Sequence, residues 1–162
     1  MDKDIYIILD NIKYAQNIGP IFRLADAFQI KKIYLCRNNM RRMKNELNCT
    51  QQRILHKASR GATEWVDWEF RDSCRDLIEE LKARNISIVG IETGNNSQFI
   101  DKIEFKYPLA LVFGAEDHGI APEIMELTDF LVKIPMEGKG RSLNVSTTVS
   151  IAVYEALRRK II

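Results

Sequence analysis

The chain has 162 residues, 46% of them hydrophobic and 28% charged, with a formal net charge of +2. That length suits one domain with a proper core and is cramped for two, and so small a net charge excludes an argument for nucleic-acid binding from bulk electrostatics. Cys36, Cys49 and Cys74 are the only cysteines and form no C-x-x-C pair, which favours reduced thiols in a cytoplasmic protein over a disulfide framework or a zinc site.

The first stretch, MDKDIYIILD, holds an apolar run too short for a signal peptide or a membrane span. Its residues Ile5–Leu9 read instead as a strand. The segment after it, NIKYAQNIGPIFR, has no G-x-G-x-x-G and so lacks the dinucleotide fingerprint. Pro20–Gln29 is helical, with Ile21, Leu24, Ala25 and Phe28 on one face. Asn17, just ahead of Pro20, either caps that helix or bonds backbone or nucleotide.

A second strand is expected at Ile33–Cys36, a weaker one around Trp65–Phe70, and a helix over Ser73–Asn85 with Leu77, Ile78 and Leu81 on one face. Strands follow at Ile86–Ile91, Leu109–Phe113 and Phe130–Ile134. The last segment is the clearest helix, with Val145, Val149, Ala152, Val153, Ala156 and Leu157 as its apolar stripe and a basic end that complements the helix dipole. Alternating strands and helices predict an α/β fold, a mostly parallel sheet with helices on both faces. No repeat, linker or low-complexity stretch marks a boundary, so residues 1–162 read as one domain without an accessory domain.

Between Arg37 and Arg60 seven basic residues, Arg37, Arg41, Arg42, Lys44, Arg53, Lys57 and Arg60, face the single acid Glu46. Such a cluster either forms a solvated face or attracts a phosphate backbone with salt-sensitive affinity. Glycines follow the three late strands: Gly94, then Gly114 and Gly119, then Gly138 and Gly140. Open parallel sheets bind ligands at the carboxyl ends of their strands, so these turns outline a backbone-lined pocket in the C-terminal half. The last of them, MEGKGRSLNVST, resembles a nucleotide-triphosphate loop but fails that pattern twice, because Gly140 follows Lys139 where a hydroxyl is needed and Lys133 stands where the leading glycine should be.

Taken in order, NIGPIFR, LVFGAEDHGI and IPMEGKGRSLNVSTTVSIAVYEALRR resemble the three signature motifs of the SpoU/TrmH branch of the SPOUT RNA methyltransferases. The resemblance runs from Asn17 to Arg159. It implies a deep trefoil knot in the C-terminal third, S-adenosylmethionine bound in the knot loops, a homodimer, and methyl transfer to a ribose 2′-hydroxyl. Composition and periodicity do not show a knot, and the usual connectivity rules argue against one.

The resemblance also assigns roles. Arg23 meets an RNA phosphate and is proposed to help remove the 2′-hydroxyl proton, although a free guanidinium is far too weak a base for that and an orienting role suits it better. Glu116 braces Asn17 or Arg23, and Ser142 and Asn144 line the catalytic centre while being placed to cap the last helix. Here the family's common Asn-Glu-Gly is Ala115-Glu116-Asp117, followed by His118.

Thr93, Gly94, Gly114, Ile134, Met136, Ser142 and Leu143 would hold the cofactor, with glycines allowing close approach. Arg23, Arg41, Arg42, Lys44, Arg53, Arg60, Lys139 and Arg141 would face RNA. A sulfonium donor is already electrophilic, so no metal is expected, and His56 and His118 stand alone in sequence. The substrate expected first is tRNA, at a D-loop guanosine or the wobble nucleotide, with rRNA behind it. A catalytically silent RNA-binding protein and a base methyltransferase are the other readings.

Overall fold

The computed structural model describes residues 4–37, 49–140 and 142–161. Arg41, Arg42, Lys44 and Arg141 of the expected RNA-binding set lie outside the described residues. Seven parallel strands form one sheet: β1 (Ile5–Asp10), β2 (Lys32–Cys36), β3 (Trp68–Arg71), β4 (Ser87–Ile91), β5 (Gln98–Phe99), β6 (Leu109–Phe113) and β7 (Phe130–Lys133), in the order β3-β2-β1-β6-β4-β7-β5. Among the described residues five α-helices accompany the sheet, α1 (Ala15–Ala27), α2 (Cys49–Ser59), α3 (Cys74–Ala83), α4 (Pro122–Met125) and α5 (Val145–Ile161), with short 3-10 turns at Ala62–Glu64 and Ile100–Lys102.

Strand alternation sorts the core into two layers, because successive side chains point to opposite faces. Ile5, Ile7 and Leu9 of β1 join Leu35, Leu111 and Phe113 beneath α1, α2 and α5. Tyr6 and Ile8 join Tyr34, Cys36, Ala110 and Val112 beneath α3 and α4. Both faces are covered, so β1 and β6 are continuously apolar and buried through nearly all their length. Cys36 and Cys74 are buried free thiols in the second layer, and the Cys74 thiol is pushed far up by its hydrogen bond to Cys36 and by burial.

The local reasons are ordinary for α3, where Ser73 caps the first turn by accepting from the Asp76 N–H at 3.1 Å. They are not ordinary for α1. It begins at Ala15, five residues before the predicted start, and carries Pro20 inside it. Asn17 is therefore the third residue of the helix and not its cap; the cap position is Tyr14, whose side chain makes no capping bond. A Cβ on Gly19 would lie 2.3 Å from the Ala58 Cβ, so glycine lets α1 and α2 touch along their backbones. That packing outweighs the bond Pro20 cannot give to the Gln16 carbonyl.

The register at the end of the sheet decides the topology. Ile91 at the end of β4 and Gln98 at the start of β5 flank the same residue of β7, Val132. Residues 92–97 thus bridge over β7, and the last strand is inserted between two strands laid down earlier in the chain. A chain end that passes through such a span is what a knotted C-terminal third requires. The two-residue β5 is too short to leave a period-two pattern, and α2 and α4 were likewise absent from the sequence reading.

Candidate functional site

The three glycine-bearing turns follow β4, β6 and β7, which are adjacent in the sheet and parallel. Their carboxyl ends open on a cavity of about 520 Å³, inside the range of roughly 300–1,000 Å³ usual for small-molecule sites. Asn17, Thr93, Gly114, Glu116, Ile134, Met136, Ser142, Leu143 and Asn144 line it. Among the residues expected to hold cofactor, Gly94 alone lies outside the lining, in the turn where its carbonyl accepts from the Ser97 N–H at 3.1 Å.

The turn after β6 needs glycine twice. Ala115 and Gly119 exchange two backbone bonds of 3.1 and 2.8 Å, folding the loop back on itself. A Cβ on Gly114 would fall 2.1 Å from the carbonyl carbon of Gly119, and Gly119 itself has φ +66. Gly138 and Gly140 differ: nothing lies within 4 Å of where their Cβ atoms would be, and neither lines the cavity. Within the chain alone, close packing gives no reason for those two glycines.

Glu92, which sequence reasoning passed over, ties the turns together. Its carboxylate accepts from the Ile120 N–H at 2.8 Å and the Thr93 N–H at 2.8 Å, linking the end of β4 to the turn after β6. The Ser97 hydroxyl donates to the Glu92 carbonyl at 2.8 Å. An acid directly after a predicted strand was the available signal, but its partner lies 28 residues away.

A chain of side chains joins α1, the β6 turn and α5 at the cavity. The Ser146 backbone N–H donates to Asn144 Oδ1 at 2.9 Å, the side-chain cap of α5. Because that donor is unambiguous, Asn144 Nδ2 must turn the other way, and it donates to Asn17 Oδ1 at 2.9 Å. Asn17 Nδ2 in turn donates to Glu116 Oε1 at 2.9 Å. One backbone group thus sets the orientation of two amides and a carboxylate. Asn144 both caps and faces the cavity, while Ser142 only lines it.

Beside Glu116, Lys13 Nζ donates to Asp117 Oδ2 at 2.9 Å. The hydrogen bond from Lys13 holds the Asp117 carboxyl below the usual carboxylate range, and the same bond raises Lys13. His118 lies 3.5 Å from Asp117, and His56, on α2, lies 3.6 Å from Glu64.

Arg23 is exposed on α1 and does not line the cavity. Six residues separate it from Asn17, about 9 Å along the helix. Arg53, Arg60 and Lys139 are exposed and also outside the lining. Arg37, counted in the basic run, is taken up by Asp10: its Nε donates to Asp10 Oδ1 at 2.9 Å, a second guanidinium nitrogen pairs with Oδ2, and Asp10 is only 2% exposed. The hydrogen bond to that carboxylate raises the Arg37 guanidinium further.

Residues 4–154 match the model of the SpoU rRNA Methylase family. The chain is 32% identical over 158 residues to the tRNA (guanosine(18)-2′-O)-methyltransferase of Aquifex aeolicus, covering 98% of this chain and 71% of that protein. Its fold superposes with a TM-score of 0.85 and 24% identity on an AdoMet-bound rRNA methyltransferase from Sinorhizobium meliloti, covering all of this chain and 58% of that one. A third likeness, with TM-score 0.82 and 26% identity, is to a protein described for 2′-OH methylation of C/U34 on tRNA; it covers 98% of this chain and 97% of the other.

Proposed function

The chain belongs to the SpoU rRNA methylase family, and from that premise we propose that it is an S-adenosylmethionine-dependent RNA methyltransferase acting on a ribose 2′-hydroxyl of tRNA. The observation that carries the reading is the cavity at the ends of β4, β6 and β7, joined by the Asn144–Asn17–Glu116 chain to α1. Its lining suits the cofactor: Ile91, Phe113, Ile134 and Leu143 offer apolar surface for adenine, and Glu92, Thr93 and Ser142 offer polar groups for the amino-acid end. The bound cofactor supplies an electrophilic methyl on sulfonium.

What remains for the protein is to bring the hydroxyl in line and assist loss of its proton. Asn17, held from both sides, is the polar group that α1 presents to the cavity. Arg23 holds an RNA phosphate and so positions the ribose. Arg53, Arg60 and Lys139 extend the phosphate contacts, and a homodimer provides the surface that one small unit lacks. No helix among the described residues is long and apolar enough to cross a membrane; the proposed cytoplasmic location rests on the free thiols of Cys36 and Cys74.

The tRNA reading rests on two likenesses to tRNA enzymes, one running nearly end to end over both chains. The rRNA reading is favoured instead by the family's own description as rRNA methylases. Incubation with labelled S-adenosylmethionine and total tRNA or rRNA, followed by mapping of the modified nucleotide, separates them. Label on a base would overturn 2′-O transfer, and uptake of RNA without S-adenosylmethionine would mark a silent binder. Arg23→Ala is expected to abolish transfer and leave cofactor affinity nearly unchanged; normal turnover by that variant removes Arg23 from the assignment.

A further inference from the structure

Trp65 does not line the cavity and is 59% exposed, an unusual state for so large an apolar ring. It is nonetheless held in place. Its indole N–H donates to Asp26 Oδ1 of α1 at 2.9 Å, so the ring's polar group is satisfied and its orientation fixed. The ring edge and the His56 imidazole both lie over Gly61: a Cβ there would be 3.5 Å from the indole and 3.6 Å from His56 Cε1. Gly61, at φ +84, forms the floor of a shallow aromatic step between α1 and α2.

The charges around this step are arranged along one track. Arg53, His56 and Lys57 are spaced i, i+3 and i+4, neighbours on one side of α2, and Arg60 follows just past its end with φ +53; α2 contains no acid. Arg23 precedes Asp26 by three residues and is its neighbour on α1. Arg23, Arg53, Lys57 and Arg60 are exposed and make no ion pair among the described residues. The acids at the step are occupied, Asp26 by the indole and Glu64 by His56 at 3.6 Å. From Asn17 at the cavity to Asp26 is nine residues, about 14 Å along α1, with Arg23 between them.

We propose that Trp65 is a stacking platform for an RNA base outside the target nucleotide, with the cations on either side holding the flanking phosphates. The inference rests on the RNA methyltransferase reading and adds a contact which that reading does not require. Free cations beside a rigid, exposed π-face are the combination that binds single-stranded nucleic acid, phosphates by charge and bases by stacking.

The test measures binding of unfractionated tRNA to the full chain at fixed salt. Trp65→Ala is expected to raise the tRNA Kd about ten- to a hundredfold, and Trp65→Phe, which keeps a ring, to stay within about threefold of the parent. S-adenosylmethionine affinity should be unchanged in both, which also shows that they fold. Arg53→Ala should lower the slope of log Kd against log salt by about one, and Trp65→Ala should leave that slope alone.

Parental tRNA affinity in Trp65→Ala overturns the platform while leaving the RNA reading intact. A loss in Trp65→Phe equal to that in Trp65→Ala overturns it too, since the indole–Asp26 bond and not stacking would then be what matters. Failure of the parent chain to bind tRNA or rRNA at low salt would bring down the functional reading itself, and the platform with it.

Discussion

Removing the Glu92 carboxylate should loosen the cavity from its rim. In Glu92→Ala the Ile120 N–H loses its acceptor, and Ile120 is only 2% exposed, so water cannot readily replace it. A hydrogen bond to a charged group contributes roughly 1.5–3 kcal/mol. The contacts to Thr93 are exposed and add little. A loss of about 2 kcal/mol, with m of about 2 kcal/mol per molar, lowers the urea midpoint by about 1 M at unchanged m. Cofactor affinity should fall as well, because Thr93 and the Gly114–Gly119 turn both line the cavity and Glu92 is what ties them together. Glu92→Gln should be intermediate, since its amide keeps one acceptor oxygen and presents a donor where the other stood. Equilibrium unfolding and calorimetric titration with S-adenosylmethionine read the two effects separately. If Glu92→Ala matches the parent chain in both midpoint and affinity, the strap does not hold the turns.

Three further outcomes are expected. Asn144→Asp keeps the oxygen that caps α5 but has no N–H for Asn17, so unfolding free energy should stay within about 0.5 kcal/mol, while methyl transfer in a single-turnover assay drops about tenfold or more. Gly19→Ala drives a methyl to 2.3 Å from the Ala58 Cβ and should cost roughly 1–3 kcal/mol by urea unfolding. The Asp117 carboxyl is held low by Lys13, so its contribution to stability is present above the ordinary carboxylate pKa and lost as pH falls through the depressed value. Carboxyl chemical shifts followed against pH should show the Asp117 midpoint rising in Lys13→Met.

Local pattern carried much of this molecule. The apolar runs at Ile5–Leu9 and Leu109–Phe113 are strands because a parallel sheet covered on both faces needs apolar residues at every position. The stripe from Val145 to Ala156 is buried as its spacing demands. The glycines at 114 and 119 were legible because a backbone turned that tightly tolerates no side chain.

Tertiary structure alone decided the rest, through partners far apart in sequence. No window of residues reveals that β7 lies between β4 and β5, since the insertion depends on register across the sheet and β5 is two residues long. Asn17 reads in sequence either as a cap ahead of Pro20 or as a group for backbone or nucleotide; the helix starts earlier, at Ala15, with Gly19 packed on Ala58, and so holds Asn17 inside it. Arg37 counts in sequence toward a basic run that is either a solvated face or a phosphate-attracting cluster, and the fold instead pairs it with the buried Asp10. The bonds from Glu92 to Ile120 and from Asn144 to Asn17 span 28 and 127 residues. Periodicity reports which side of an element is apolar; it carries no information on which element that side will meet.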